Sequence, residues 1–144
     1  MTLDHFVGQV QHRARLASTD EALRAIRCTF ETLAERLDFG EAKDLAAQLP
    51  RELGAFFAVP EHSVRMSLDE FFKRVSEREG IDLPVAVYHA RVVIEVLQEA
   101  VSAGEIQDVK AQLPAEWNVL FDAGSEGRFA RKEEVMLSQE RKEP

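Results

Sequence analysis

The chain has 144 residues, 45% of them hydrophobic and 31% charged, which is enough to close one soluble core of ordinary domain size. Its formal net charge is −8, from 26 acidic against 18 basic residues. A duplex-binding protein needs a basic face to replace counterions, and an anionic membrane surface disfavours an acidic chain, so neither nucleic acid nor membrane is an expected partner.

The N-terminal MTLDHFVGQVQHR carries Asp4 and lacks the basic start and apolar run of a secretion signal. No stretch approaches the roughly 18 apolar residues of a membrane span. Cys28 is the single cysteine and has no internal disulfide partner, which fits a reducing compartment. A cytoplasmic protein is expected.

In chain order, Thr2 reads as the cap of a first helix with the apolar face Leu3, Phe6, Val7 and Val10. Ser18 to Glu21 reads as a capping box, and Ala22, Ile26, Phe30, Leu33 and Leu37 recur at helical spacing behind it. Gly40 is expected to close that helix in a left-handed conformation, and Glu41 to favour the positive start of a short third helix over about 41–49. Pro50 ends that helix and opens a fourth at its first position, bearing Leu53, Phe56 and Phe57. The series then restarts. Ser67 to Glu70 is a capping box before Leu68, Phe71, Phe72 and Val75; Asp82 and Pro84 start the next long helix; Gly104, Glu105 and Pro114 stand where Gly40, Glu41 and Pro50 stood.

The restart is an internal repeat of about 64 residues. GEAKDLAAQLP at 40–50 and GEIQDVKAQLP at 104–114 share seven of eleven positions. Arg27, Glu31, Leu33 and Glu35 fall on Arg91, Glu95, Leu97 and Glu99, and residues 2–13 align with 67–78 after a one-residue slip. The expected fold is all-α: two tandem four-helix repeats, about 2–58 and 67–122, forming one pseudo-twofold domain over 1–123. Residues 124–144 read as a linker and helical tail, because ARKEEVMLSQER at 130–141 can be laid over SLDEFFKRVSER as a decayed third start.

At the GExxDLxAQLP element, and through the second QLP to Leu120 and Phe121, the sequence resembles the bacterial domain of unknown function 2267 family over about residues 2–122. The resemblance implies a small all-helical fold and a bacterial origin. It implies no activity, and no functional residue is carried over from it.

Reactive constellations are sparse. His5, His12, His62 and His89 lack metal-ligand spacing and are expected at the surface or an interface; no metal or other cofactor is expected. Nothing adjacent to Cys28 is arranged to activate it. Arg27, Glu31, Glu35 and Arg91, Glu95, Glu99 step four residues at a time, which predicts ion pairs along a solvated helix face. Asp44 and Gln48, with Asp108 and Gln112, are the polar residues the repeat retains. They could form a pseudo-symmetric ligand or catalytic site, or could satisfy backbone groups at the helix–proline junctions.

The long helices differ on one face. Glu21, Arg24, Cys28 and Thr32 in the first become Val85, Tyr88, Val92 and Val96 in the second. A helix apolar on both sides needs a second cover. The tail with Phe129, Val135 and Met136, another unit of this domain, a second copy of the chain, or a foreign helix or ligand are the candidates, and the expected function is a non-enzymatic, self-associating interaction module. A small-molecule or enzymatic site at the two GExxDLxAQLP-type elements is the alternative.

Overall fold

Thr2 and Ser67 each open a helix as their sequences predict: the Thr2 hydroxyl accepts from the His5 amide at 3.1 Å, and the Ser67 hydroxyl from the Glu70 amide at 3.1 Å. The computed structural model describes residues 1–58 and 63–125. In chain order the helices are α1 (Leu3–Arg13), α2 (Thr19–Arg36), α3 (Phe39–Ala47), α4 (Arg51–Gly54) running into a 3-10 turn (Ala55–Phe57), α5 (Leu68–Glu79), α6 (Leu83–Ala100), α7 (Ala103–Ala111), and a 3-10 turn (Ala115–Trp117) leading into α8 (Asn118–Asp122). The protein is all-α, with no strand among the described residues. α2 and α6 each have 18 residues, and α3 and α7 each have 9. His62, the expected tail helix and Phe129, Val135 and Met136 lie outside the described residues.

Several boundaries differ from the sequence reading. Gly40 and Gly104 do not close α2 and α6; they lie inside α3 and α7. Each long helix stops instead at an extended residue, Leu37 or Val101, and the next begins at once behind Asp38 or Ser102. Pro50 and Pro114 sit one position earlier than expected, as caps. The left-handed closures belong to the first helix of each series. Gly80 ends α5 at φ 73°, where its amide and that of Ile81 both reach the Ser76 carbonyl. Arg15 occupies the same place after α1 at φ 58°, with the Leu16 amide donating back to Gln11. Glycine tolerates that conformation; arginine adopts it at a cost of roughly 1 kcal/mol.

α2 and α6 pack against each other, and both α1 and α5 touch each of them. The core runs through aromatic contacts: Phe30 stacks on Phe57 at 4.7 Å and meets Phe6 at 5.9 Å, while Phe71 lies 5.1 Å from Trp117. Each such ring contributes about 1.5–3 kcal/mol by leaving water.

The acidic steps on α2 and α6 do not make the solvated ladder that their spacing predicts. Arg13 of α1 grips Glu99 through two bonds of 2.8 Å and lies 3.5 Å from Glu95. Arg78 of α5 holds Glu35 at 2.6 Å and donates to the Thr32 hydroxyl, and Arg74 reaches Glu35 at 3.3 Å. Arg91, expected on that face, is buried and donates to the Gly124 carbonyl. In the repeat register Arg13 corresponds to Arg78, and Glu99 to Glu35. The same pairing is therefore made twice, in each case from one repeat to the other. Such half-exposed pairs contribute at most about 1 kcal/mol each, but they fix which helix lies where.

α4 sits close on α3. A Cβ at Gly54 would stand 2.8 Å from the Ala46 carbonyl oxygen, and backbone cannot move aside cheaply. Gly54→Ala is expected to lose about 1–3 kcal/mol, read as a lowered midpoint in urea.

Candidate functional site

The polar residues retained by the repeat do not converge on a pocket. Asp44 and Asp108 are exposed on α3 and α7. Gln48, just past α3, accepts from the Ser102 amide at 2.8 Å and donates to its hydroxyl at 3.3 Å, at the start of α7. Gln112, just past α7, accepts from the Asp38 amide at 3.0 Å, at the start of α3. Each glutamine thus satisfies an amide at the start of the opposite short helix, and not at the helix–proline junction that the sequence suggests.

Between these clamps the structure brings together two other residues of the motif, Glu41 and Glu105. Glu105 is 8% exposed, and one carboxyl oxygen of each residue is buried without an ordinary donor. Burial first, then a hydrogen bond shared with Glu105 and the charges of Glu105, Asp108 and Asp44, push the Glu41 carboxyl up to about 8. The sequence places both at helix starts, where a carboxylate is normally stabilised. Desolvation and a facing carboxylate outweigh that effect. In the unfolded chain Glu41 titrates at its ordinary 4.5, so the folded state binds the extra proton. The contribution of Glu41 to stability is therefore full below about pH 4.5 and is lost as pH rises through about 8. Glu41→Gln is expected to remove most of that decline, so that its melting temperature exceeds that of the parent at pH 8.5 and matches it more closely at pH 5.

His89, expected at the surface or an interface, is buried on the wall of a cavity. His89, on the second turn of α6, lies 2.6 Å through Nδ1 from the Glu79 carboxylate at the end of α5. The two are 6% and 5% exposed. They line a cavity of about 530 Å3 walled by the ends of α1 and α5 and the starts of α2 and α6. Ala14, Leu16, Ile81 and Val85 supply apolar wall; Arg15, Glu21 and Arg24 supply charge. Glu21 does not complete its capping box on Ser18; it accepts from the Ala17 amide at 3.0 Å. Arg24 extends over the Gly80 turn, its Nη2 3.7 Å from where a Cβ would stand.

Sequence reasoning missed this site because Glu79 and His89 belong to different helices and meet only through the α5–α6 turn. A signal was nonetheless present. In the repeat register Glu79 stands opposite Ala14, His89 opposite Ala25, and Arg15 opposite Gly80. The two copies diverge in polarity where they line the cavity.

Of the other candidates, Val92 and Val96 are fully buried in the core, Tyr88 is half-buried and donates to the Arg13 carbonyl at 2.7 Å, and Val85 is half-buried at the cavity wall. Cys28 is buried, and desolvation followed by the Glu79 charge raises its thiol pKa, which makes it a poor nucleophile. His5 and His12 are exposed on α1. Among the described residues no group of three His, Cys, Asp or Glu side chains is placed to hold a metal ion, and no helix is long and apolar enough to cross a membrane.

No curated protein matches the chain. The pattern of the family described as "Uncharacterized conserved protein (DUF2267)" matches residues 3–120, which takes in every helix from α1 through most of α8. The chain belongs to that family.

Proposed function

We propose that this protein binds a small molecule in the cavity between the ends of α1 and α5. The observation that carries the reading is the buried Glu79–His89 pair on the cavity wall. Removing a carboxylate and an imidazole from water costs several kcal/mol, which their mutual contact only partly offsets. One Glu79 oxygen is moreover buried without a donor. The other copy holds alanines at both positions, so the packing alone does not require the pair. A cavity of about 530 Å3 lies within the usual range for small-molecule sites, and its mixture of apolar wall and few polar groups is their usual chemistry.

Self-association rested on the second apolar face of α6, and Val92 and Val96 there are filled from within the chain. The large apolar side chains left exposed include Phe39, Leu83 and Val119. They supply no comparable argument.

The test is a melting-temperature screen of metabolite-sized compounds against the protein and against Val85→Trp, which fills the cavity from its half-buried wall. A true ligand at about a hundredfold excess over its dissociation constant adds roughly 2.7 kcal/mol, a shift of several degrees. That shift should vanish in the folded Val85→Trp protein. Ligands that stabilise both proteins equally would place binding elsewhere and overturn the reading.

A further inference from the structure

We propose that the occupant of this cavity is a small zwitterion with an apolar side chain, of amino-acid or dipeptide size. The inference rests on the cavity being the ligand site, and on how its charges are distributed. Arg15 and Arg24 present cations to it, while Glu21 and Glu79 present anions. Neither arginine makes an ion pair or side-chain hydrogen bond among the described residues. Glu79 is paired with His89, while neither arginine closes on Glu21 or Glu79.

A carboxylate is the natural partner of guanidinium groups left open in this way, because their planar N–H donors match its two oxygens. The buried Glu79 oxygen without a donor needs an N–H or O–H. An ammonium supplies that donor together with the charge a carboxylate wall attracts. Leu16, Ile81 and Val85 then remain to receive an apolar side chain. A ligand with a carboxylate alone would leave Glu79 unanswered, and an amine alone would leave both arginines unanswered.

The backbone gives an independent indication that Arg15 is held there for its head group. It is the sole non-glycine residue with positive φ among the described residues, at the position where the other copy has Gly80. A strained residue persists where the surrounding structure or a function requires it. Its guanidinium is exposed on the cavity wall and makes no ion pair or side-chain hydrogen bond among the described residues.

The experiment titrates the intact protein with L-leucine, leucyl-leucine, isocaproate and isopentylamine, following heat of binding and the His89 ring resonances by NMR. The last two compounds are leucine without its amine and leucine without its carboxylate. The expected result is that at least one of the zwitterions binds about tenfold or more tightly than either single-charge analogue and moves the His89 signals. Equal binding by isocaproate would overturn the zwitterion while leaving the cavity as a ligand site. If all four leave the His89 ring unmoved, the zwitterion proposal fails, whatever other compound classes stabilise the protein. Arg15→Gly guards against misreading a folding defect. It relieves the left-handed backbone, so the variant should melt at or above the parent temperature while zwitterion affinity falls about tenfold. Unchanged affinity in that variant would also overturn the proposal.

Discussion

Helix α6 carries apolar side chains on two sides. Its first stripe, Ala90, Ile94 and Leu97 among others, matches that of α2, and its second includes Val92 and Val96, both without exposure. Such a helix cannot stand at the edge of a small bundle, because each face left in water forfeits about 25 cal/mol for every Å2 of apolar surface. α1, from the other end of the chain, lies along it, with Tyr88 bonded to the Arg13 carbonyl and the Arg13 guanidinium on Glu99 and Glu95. α5 answers on α2, through Arg78 on Thr32 and Glu35. Each long helix is thus covered by the first helix of the other repeat as well as its own. The exchange of Gln48 and Gln112 across α3 and α7 follows the same logic at the helix ends.

This arrangement explains where the cavity forms. Covering α2 and α6 from both sides brings the C-terminal turns of α1 and α5 together over the N-terminal turns of the long helices. Four helix ends in one place leave a gap that side chains alone do not fill. The walls come from corresponding segments of the two repeats, and their core residues agree while their cavity residues differ. Ala14 and Ala25 stand in one repeat where Glu79 and His89, the buried ionisable pair of the cavity wall, stand in the other. The Glu41–Glu105 contact has a different character. Both its members come from the shared motif, it sits between the glutamine clamps, and burial and the facing Glu105 push the Glu41 carboxyl up to about 8.

Much of the fold was legible because helical periodicity, capping serines and the repeat are local or register-preserving signals. Thr2, Ser18 and Ser67 cap where expected, and the apolar stripes of α1, α2 and α5 are the buried ones. Gly40 and Gly104 misled because glycine beside a helix end suggests a left-handed closure, whereas here an extended residue ends each long helix and the next starts at once behind Asp38 or behind Ser102, whose hydroxyl caps it. The ion pairs misled because spacing of four shows which residues share a face, not what lies against it. Arg13 is distant from Glu99 in the chain, and nothing local announces their contact. The same limit hid His89 and Glu79. The asymmetry between the long helices was visible, and so was its demand for a cover; the cover is another unit of the same domain, α1, one of the candidates the sequence leaves open.

The central claim is that the second apolar face of α6 is an interior surface of a single chain. Val92→Glu tests it most directly, with solution mass and urea unfolding measured together. An unpaired carboxylate at that fully buried site is expected to remove about 3–5 kcal/mol of stability with no change in the mass of whatever protein remains folded. A variant that keeps the parent's unfolding midpoint, with or without a change in mass, would show that the face lies at the surface, and would contradict the account.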